Sequence, residues 1–584
     1  MTNSEIVDLL ELTGRLMELH EQDAFRTRAF TSAAFNLDKS TADLASLPLE
    51  ELVKLPGVGK SVAHKIREIA ENGHLTELDD LLAQTPSGVM DMFRINGLGV
   101  KKIGTLWRES GIDNLTDLQQ ACETGQIAKI KGFGKATEDK ILVALEFLQD
   151  QKGKVRMDKA AMIANLLHDE LAKQFDRVEV SGQVRRKAQE VDTVQLLVQT
   201  NDPVSAMLTL ENLPTLEQNK PDSSPFAWRG RVEGFDVAIE LLLHPAEQMD
   251  RQLFIQTAAE PHLQQVGAGG VSLLQAAYSG QDTTETAIYA RAGLPYIVPE
   301  MREDDFAFRW AARHRPDELV TWDDLRGTLH NHSKWSDGKQ TVGDMANYCR
   351  ELGLTYFGIA DHSKTASYAG GLDAERVRQQ QVEIDQLNAN YGTRNAGGAA
   401  SRPLQTGSGT DFRIFKGIES DILGDGSLDY DDATLATFDY VVASVHQTLT
   451  MSLEKAMTRL LRAIENPYTT ILGHPTGRLL LAREGYPIDH KVIIDACAEH
   501  NVVIEINASP YRLDLDWHWI DYAMQQGVML SINPDAHNFA GLLDMHYGVA
   551  IGRKGGLTKK MTFNTLTMSE MTDYFRYRRV RKGI

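Results

Sequence analysis

The stretch LHNHSKWSDG at residues 329–338 decides the fold of the larger part of this chain. It sets His330, His332 and Asp337 at the end of a short apolar run, and the same arrangement recurs downstream. Asp361 and His362 follow YFGIA, Glu419 lies in KGIESD, His446 closes YVVASVH, His474 follows ILG, and Asp535 and His537 end MLSINPDAH. Imidazoles mixed with carboxylates suit borderline transition metals, whereas magnesium and calcium sites are built mostly from oxygen. These runs, with VVIEINAS, are near-continuously apolar, the pattern of strands covered on both faces in a parallel sheet. Helix-like segments such as VGDMANYCRELG, SLEKAMTRLLRAIEN and HKVIIDACAEHN alternate with them. Repeated strand and helix units with polar residues at the strand C-terminal ends describe an α/β barrel whose site lies on its top face. The C-terminal half therefore reads as a metallo-hydrolase.

Taken together, HNH with SDG, ADHS, GIESDILGDGSLDY, ASVH, GHPTGR, EINASPYRLDLDW and DAH run from about Leu325 to the end of the chain. This set resembles the PHP (polymerase and histidinol phosphatase) domain at the C-terminus of bacterial family X DNA polymerases. The resemblance implies a distorted (β/α)7 PHP barrel, three divalent metal ions and manganese-dependent removal of nucleotides from DNA 3′ ends. Carried over position by position, it implies nine metal ligands: His330, His332, Asp337, His362, Glu419, His446, His474, Asp535 and His537. Manganese is the first candidate, with zinc and iron as alternatives, because geometry and availability choose among them more than ligand type does.

Independently of the family, clustered divalent ions can acidify a water, place it in line with a phosphodiester and stabilise the attacking and leaving oxygens. Glu419 is then the candidate bridge between two ions, since a carboxylate offers one oxygen to each. Glu419, His332 and Arg478 form the expected catalytic set. Arg478 in GHPTGR and Lys364 in DHSK read either as phosphate clamps or as ordinary surface charge.

The N-terminal part carries its own signal three times: LPGVGKSVAHKI at 55–66, INGLGVKKIGTL at 95–106 and IKGFGKATEDKI at 130–141. Each resembles a helix-hairpin-helix, whose glycines let the turn approach a DNA backbone while the next helix offers free N–H groups to a phosphate. The expected DNA contacts are Gly57, Gly59 and Lys60, then Gly97, Gly99 and Lys101, then Gly132, Gly134 and Lys135. Lys65 falls where relatives with 5′-deoxyribose phosphate lyase activity carry the Schiff-base lysine, but phosphate contact or a solvated helix face is the favoured reading for it. A purely structural helical array is the alternative for the three repeats.

Between these parts the family pattern breaks. Family X palms carry a Gly-Ser followed by two arginines, then two aspartates one residue apart, then a third on a neighbouring strand. Here VSGQVRRKAQEVDTVQLLVQT keeps Gly182, Arg185 and Arg186, with Gln183 at the serine position. Ungapped alignment sets Thr193 and Gln195 at the two aspartate positions, and a one-residue shift that brought in Asp192 would point it to the other face of the strand. Glu240 in GFDVAIELLLHP stands for the third acid, with Asp236 nearby. Neutral Thr193 and Gln195 cannot hold the two ions that nucleotidyl transfer needs.

Composition bounds the rest. A chain of 584 residues should hold several domains. A hydrophobic fraction of 42%, no apolar stretch of membrane-spanning length and an N-terminus without a basic then apolar region predict a soluble, cytoplasmic protein. Cys122, Cys349 and Cys497 lack paired spacing and read as core or surface thiols. The net charge of -20 argues against a broadly basic surface, but phosphate contact needs only a local patch. Arg576, Arg578, Arg579, Arg581 and Lys582 form one candidate patch, with a solvated tail as the favoured reading. Residues 388–412, rich in Gly, Ala, Ser, Thr and Asn, read as an insertion on the barrel rim, passive or lid-like.

The expected architecture is multidomain. An all-α helix-hairpin-helix domain at 1–85 and a fingers-like one at 86–155 precede an α+β nucleotidyltransferase-like palm at 156–250 and thumb at 251–318. The (β/α)7 barrel follows at 319–584. The expected function is a DNA-repair 3′-5′ exonuclease acting as a monomer on gapped, nicked or recessed DNA, with no membrane partner and with the palm silent. The alternatives are an active gap-filling polymerase with exonuclease, a phosphatase of small phosphate esters, and a non-catalytic DNA-binding scaffold.

Overall fold

The computed structural model describes residues 3–38, 40, 42–95, 98–393 and 412–584. They form two compact units, Met1–Lys152 and Gly153–Ile584.

The first unit is helical throughout its described residues. Its hairpins form where the glycines demand them. Gly57 takes φ +76°, and a Cβ there would meet Asn36 Nδ2 at 2.5 Å; Gly132 takes φ +89°. The helices Lys60–Asn72 and Val100–Gly104 start at Gly59 and Gly99 with no side-chain cap. A Cβ at Gly59, Gly99 or Gly134 would touch nothing within 4 Å, so these turns face open space with their first N–H groups uncovered. Lys60 and Lys101 are exposed, whereas Lys135 is paired with Glu138 at 2.9 Å and Asp139 at 3.1 Å. Gly97 lies outside the described residues. The expected division at residue 85 is not a break in packing, because one apolar core runs from Ile6 to Leu148. Across that line the His20 ring sits edge-on to Trp107, with its Nε2 held 2.7 Å from Thr85 Oγ1.

In the second unit, a five-stranded sheet matches the expected palm. Its strands are ordered Val178–Val180, Thr193–Gln199, Ala238–His244, Ala227–Val232 and Leu216–Gln218. The helix Met157–Leu171 covers one face, burying Ala160, Ile163, Ala164 and Leu167 at helical spacing. Thumb-like helices, including Met249–Thr257 and Glu285–Ala292, pack around Phe254, Tyr289 and Trp310.

The barrel is built from parallel strands: Gly327–Thr328, Tyr356–Gly358, Arg413–Phe415 running on into Gly417–Asp421, Tyr440–Ser444, Ile471–Leu472, Val503–Asn507 and Leu530–Asn533. Single parallel bridges pair His362 with Glu419 and Asn331 with Ala536, the latter closing the ring. Counting 413–421 as one strand gives the seven expected. Apart from 413–421, which is partly exposed at Arg413 and Lys416, these strands are buried at every position, as their apolar runs require. Leu329, Tyr356, Phe415, Tyr440, Ile471 and Val503 share a cluster with Phe563 and Phe575, so the lumen is packed solid and plugged by the C-terminal segment.

Two expectations change here. The basic run 576–582 is no free tail but part of the helix Met568–Lys582. Arg578 donates to Pro467 O and Thr469 O, and Arg579 to Ala436 O and Phe438 O, so these guanidiniums fasten the helix to carbonyls of the barrel. The helix Ala374–Thr393 runs into the segment 388–412 expected to be an insertion on the barrel rim; residues 394–411 lie outside the described set. Among the described residues no helix is long and apolar enough to cross a membrane.

Candidate metal centre

The strand ends bring all nine expected ligands to one place. Three groupings have ligand atoms within 4.8 Å of one another: His332, Asp337, His362 and His537; His330, His332 and Asp535; and His362, Glu419 and His446. His474 joins through its Nε2, 3.1 Å from Glu419 Oε1. Glu419 is the hub. Its Oε1 lies 3.2 Å from His330 Nε2 and 3.1 Å from His446 Nε2, and its Oε2 lies 2.9 Å from His362 Nδ1. His332 Nε2 lies 2.9 Å from Asp535 Oδ1. Asp337 and His537, with side chains 28% and 34% exposed against 1% for Glu419, mark the side on which the centre opens. Asp535 and His474 take φ +54° and +22°, a backbone region that non-glycine residues occupy at a cost of about 1–3 kcal/mol and that gathers at functional sites.

Buried carboxylates set the electrostatics. Burial favours neutral forms, yet the surrounding imidazoles hold Glu419 and Asp535 well below the usual carboxylate range. In turn, although burial pulls imidazoles down, Glu505, Glu419 and Asp535 hold His330 well above its ordinary value, and Glu419 and Asp421 hold His446 at about 10. His332, buried between His537 and His362, drops to about 3. Such a centre favours positive charge, whether as protons or as cations. The buried atoms His330 Nε2, His332 Nδ1, His362 Nδ1 and Glu419 Oε2 make no well-aligned hydrogen bond despite the close approaches to Glu419, which is costly unless a further group sits among them. The residues present therefore fit divalent cations.

Several residues at the centre went unnoticed in the sequence. Glu505, fully buried, takes His330 Nδ1 at 2.7 Å, the His474 N–H at 3.2 Å and the amides of Asn507 and Asn533 at 3.0 Å each. Asp421 holds His446 Nδ1 at 2.5 Å. Both carboxylates orient a ring so that its other nitrogen faces inward. A lone acid inside the apolar run VVIEIN was the available signal. Asp361 does not face the cluster; it accepts from Ser333 N, Ser333 Oγ, Ser336 Oγ and Gln380 Nε2.

Arg478 is the main correction. Its Nε donates to Arg512 O at 2.9 Å, one terminal nitrogen meets Asp516 at 2.7 Å, and the other donates to Leu513 O. With each of its three nitrogens bonded to the 512–516 loop, Arg478 is committed to holding that loop. Lys364 stands 5.6 Å from the Tyr430 ring centroid, a cation over an aromatic face. Lys65 is paired with Glu68 at 3.0 Å.

In the palm, Gln195 pairs in register with Glu240 and donates to it at 2.5 Å, while Arg229 Nε meets the same carboxylate at 2.7 Å. A guanidinium and an amide thus cover the one acid that remains. Gln183 bonds Asp192, and exposed Asp236 pairs with Arg231, so neither acid joins Glu240. Arg185 is tied to Thr257 and Glu285, and Arg186 to Thr257 O and Glu303. Thr193 lines an open cavity of about 620 Å³ with Glu240, Arg229 and Asp222.

Comparison with known proteins finds matches along the whole chain. Residues 1–75 match a helix-hairpin-helix domain model and residues 89–146 a SAM-like helix-hairpin-helix tandem. A probable phosphatase of Thermoanaerobacter sp. (strain X514) is 27% identical over 180 residues, 29% of this chain and 71% of that one. A probable phosphatase of Clostridium acetobutylicum is 37% identical over 100 residues, 17% of this chain and 38% of its own length. The DNA polymerase/3′-5′ exonuclease PolX of Bacillus subtilis (strain 168) is 32% identical over 589 residues, 99% of this chain and all of that protein. With that match end to end, and with hairpins, palm, thumb and barrel in the expected order, the chain belongs to the PolX family.

Proposed function

We propose that this chain is a metal-dependent 3′-5′ DNA exonuclease whose site is the barrel centre and whose palm no longer polymerises. The observation that carries the reading is the ring of inward-facing imidazole nitrogens crowded around Glu419, several of them buried without a well-aligned hydrogen bond. His330, His332, Asp337, His362, Glu419, His446, His474, Asp535 and His537 would hold the ions, manganese first among candidates. Bound divalent ions supply Lewis-acid charge and a water acidic enough to attack phosphorus near neutral pH. The chain's own residues do the rest. Glu505 and Asp421 fix the tautomers of His330 and His446, Glu419 offers an oxygen to either side, and the Asp337 and His537 edge admits the strand. The uncapped hairpin helices would bind the DNA backbone sequence-independently and hold gapped, nicked or recessed substrates, with the chain acting as a monomer.

The test is a product ladder from 5′-labelled recessed and gapped DNA with manganese and all four dNTPs. Progressive shortening, abolished in His330→Ala/His332→Ala, is the expected result. Primer extension would overturn the silent palm. The same assay on Thr193→Asp/Gln195→Asp should still show no extension, because Arg229 continues to neutralise Glu240.

A further inference from the structure

The 507–514 loop, between the strand Val503–Asn507 and the helical turn Trp517–Trp519, carries an arginine that the sequence motifs did not single out. Arg512 Nε lies 3.8 Å from Asp535 Oδ2, beside the cluster, with its side chain only 19% exposed. Its charge reaches His474 on the floor of the centre and Tyr368 at the rim. Neighbouring arginines are spent on structure. Arg459 donates to Ile422 O, Leu423 O and Gln447 O, Arg483 to Gly477 O, and Arg478 to the loop itself. The Arg512 guanidinium, by contrast, donates no hydrogen bond among the described residues.

Asp535 does not need Arg512 as a counter-ion. Its Oδ1 already faces His332 at 2.9 Å and its Oδ2 accepts Asn507 Nδ2 at 3.1 Å. The loop is nevertheless fixed from several sides. Asp514 accepts Thr476 N and Oγ1 and Gly477 N, Leu480 N donates to Tyr511 O, and Arg478 grips residues 512 and 513. From the palm side, Gln189 donates to Leu513 O at 3.2 Å and the Arg156 guanidinium lies 3.7 Å over the Tyr511 ring. A largely buried, uncommitted guanidinium carried on a loop held this firmly beside the cluster is preorganised for an oxyanion that arrives from outside.

We propose that Arg512 is a catalytic residue that grips the non-bridging oxygens of the scissile phosphate, with Arg478 and the palm residues Arg156 and Gln189 as positioning residues for its loop. The proposal rests on the exonuclease reading above and adds the substrate contact which that reading lacks. The planar fork of arginine matches two phosphate oxygens at once, which an ammonium cannot do.

The experiment uses the full chain loaded with manganese, and compares wild type with Arg512→Gln and Arg512→Lys. Three quantities are read: kcat/KM on a 5′-labelled oligo-dT, calorimetric affinity for thymidine 5′-monophosphate as the product-like probe, and bound manganese per chain. The expected result is a loss of about 10²-fold in kcat/KM for Arg512→Gln, the magnitude of removing one preorganised oxyanion donor. Weaker thymidine monophosphate binding, an intermediate Arg512→Lys and unchanged manganese content complete it. Wild-type turnover and wild-type nucleotide affinity in Arg512→Gln would overturn the proposal while leaving the exonuclease reading intact. So would a fall in manganese content that accounts for the whole loss. A wild-type protein that leaves the oligonucleotide whole would bring down the exonuclease reading and the proposal with it.

Discussion

At the scale of single residues, the centre depends on side chains that never face an ion. Glu505 accepts four donors in a dry interior, two of them from the expected ligands His330 and His474. In Glu505→Gln an amide N–H must face one of those donors, so the His330 ring loses its orientation. Manganese affinity is expected to fall about 10- to 100-fold, the range for losing an orienting partner of a metal-ligating histidine, as read by metal titration of the folded protein. This residue also marks the limit of reading by pattern. Most of the expected ligands were legible because a histidine or acid follows an apolar run at its C-terminal end, where parallel strands present their residues to a common face. Glu505 sits mid-strand, where an acid reads as an oddity, and only the fold shows the imidazole it meets. Arg478 and Arg512 illustrate the converse. Both are arginines a few residues beyond a strand end, and nothing in their spacing tells which one spends its donors on carbonyls.

At the scale of elements, the glycines of the first hairpin have separable duties. Gly57 needs its left-handed backbone and has no room for a methyl group, whereas Gly59 has room to spare. Gly57→Ala is therefore expected to destabilise the first unit by about 1–2 kcal/mol or more, the cost of a left-handed L-residue with a clash added. Gly59→Ala should stay within about 0.5 kcal/mol in urea denaturation, as surface changes do. Both should weaken DNA binding, the first through the fold and the second by placing a methyl group on the open face. Equal stabilities for the two variants would contradict this assignment. The repeated GxG motif foretold the hairpins, but not that the expected domains at 1–85 and 86–155 share one core. Contacts such as His20 with Thr85 and Trp107 join residues far apart in sequence and leave no periodic trace.

At the scale of the whole molecule, buried ion pairs join palm, thumb and barrel. Glu285 of the thumb takes the guanidinium of fully buried Arg302 through both oxygens and that of palm Arg185 through one. Burial alone would raise its pKa, but Arg302 and Arg185 prevail and hold it at about 2 against an ordinary 4.5. A depressed carboxylate contributes stability that is complete above its unfolded value and is lost as pH falls through its folded one. At 1.36 kcal/mol per unit this amounts to about 3 kcal/mol, present above pH ~4.5 and disappearing toward pH ~2. Thermal melts across that window should show wild type losing its advantage over Glu285→Gln as acid is added, and a constant gap would refute the assignment. Lys554, an amine from the barrel with 2% of its side chain exposed, closes the junction. It reaches Glu303 of the thumb at 2.5 Å and the carbonyl of palm Arg186 at 3.1 Å. For descent this has a plain meaning. On the proposed reading, a palm released from synthesis is free to drift at Thr193 and Gln195, yet deleting it would take one acceptor from a buried ammonium and unseat the loop that Gln189 and Arg156 brace. Natural selection can thus let the old chemistry erode while the architecture that housed it endures as a buttress for its neighbour.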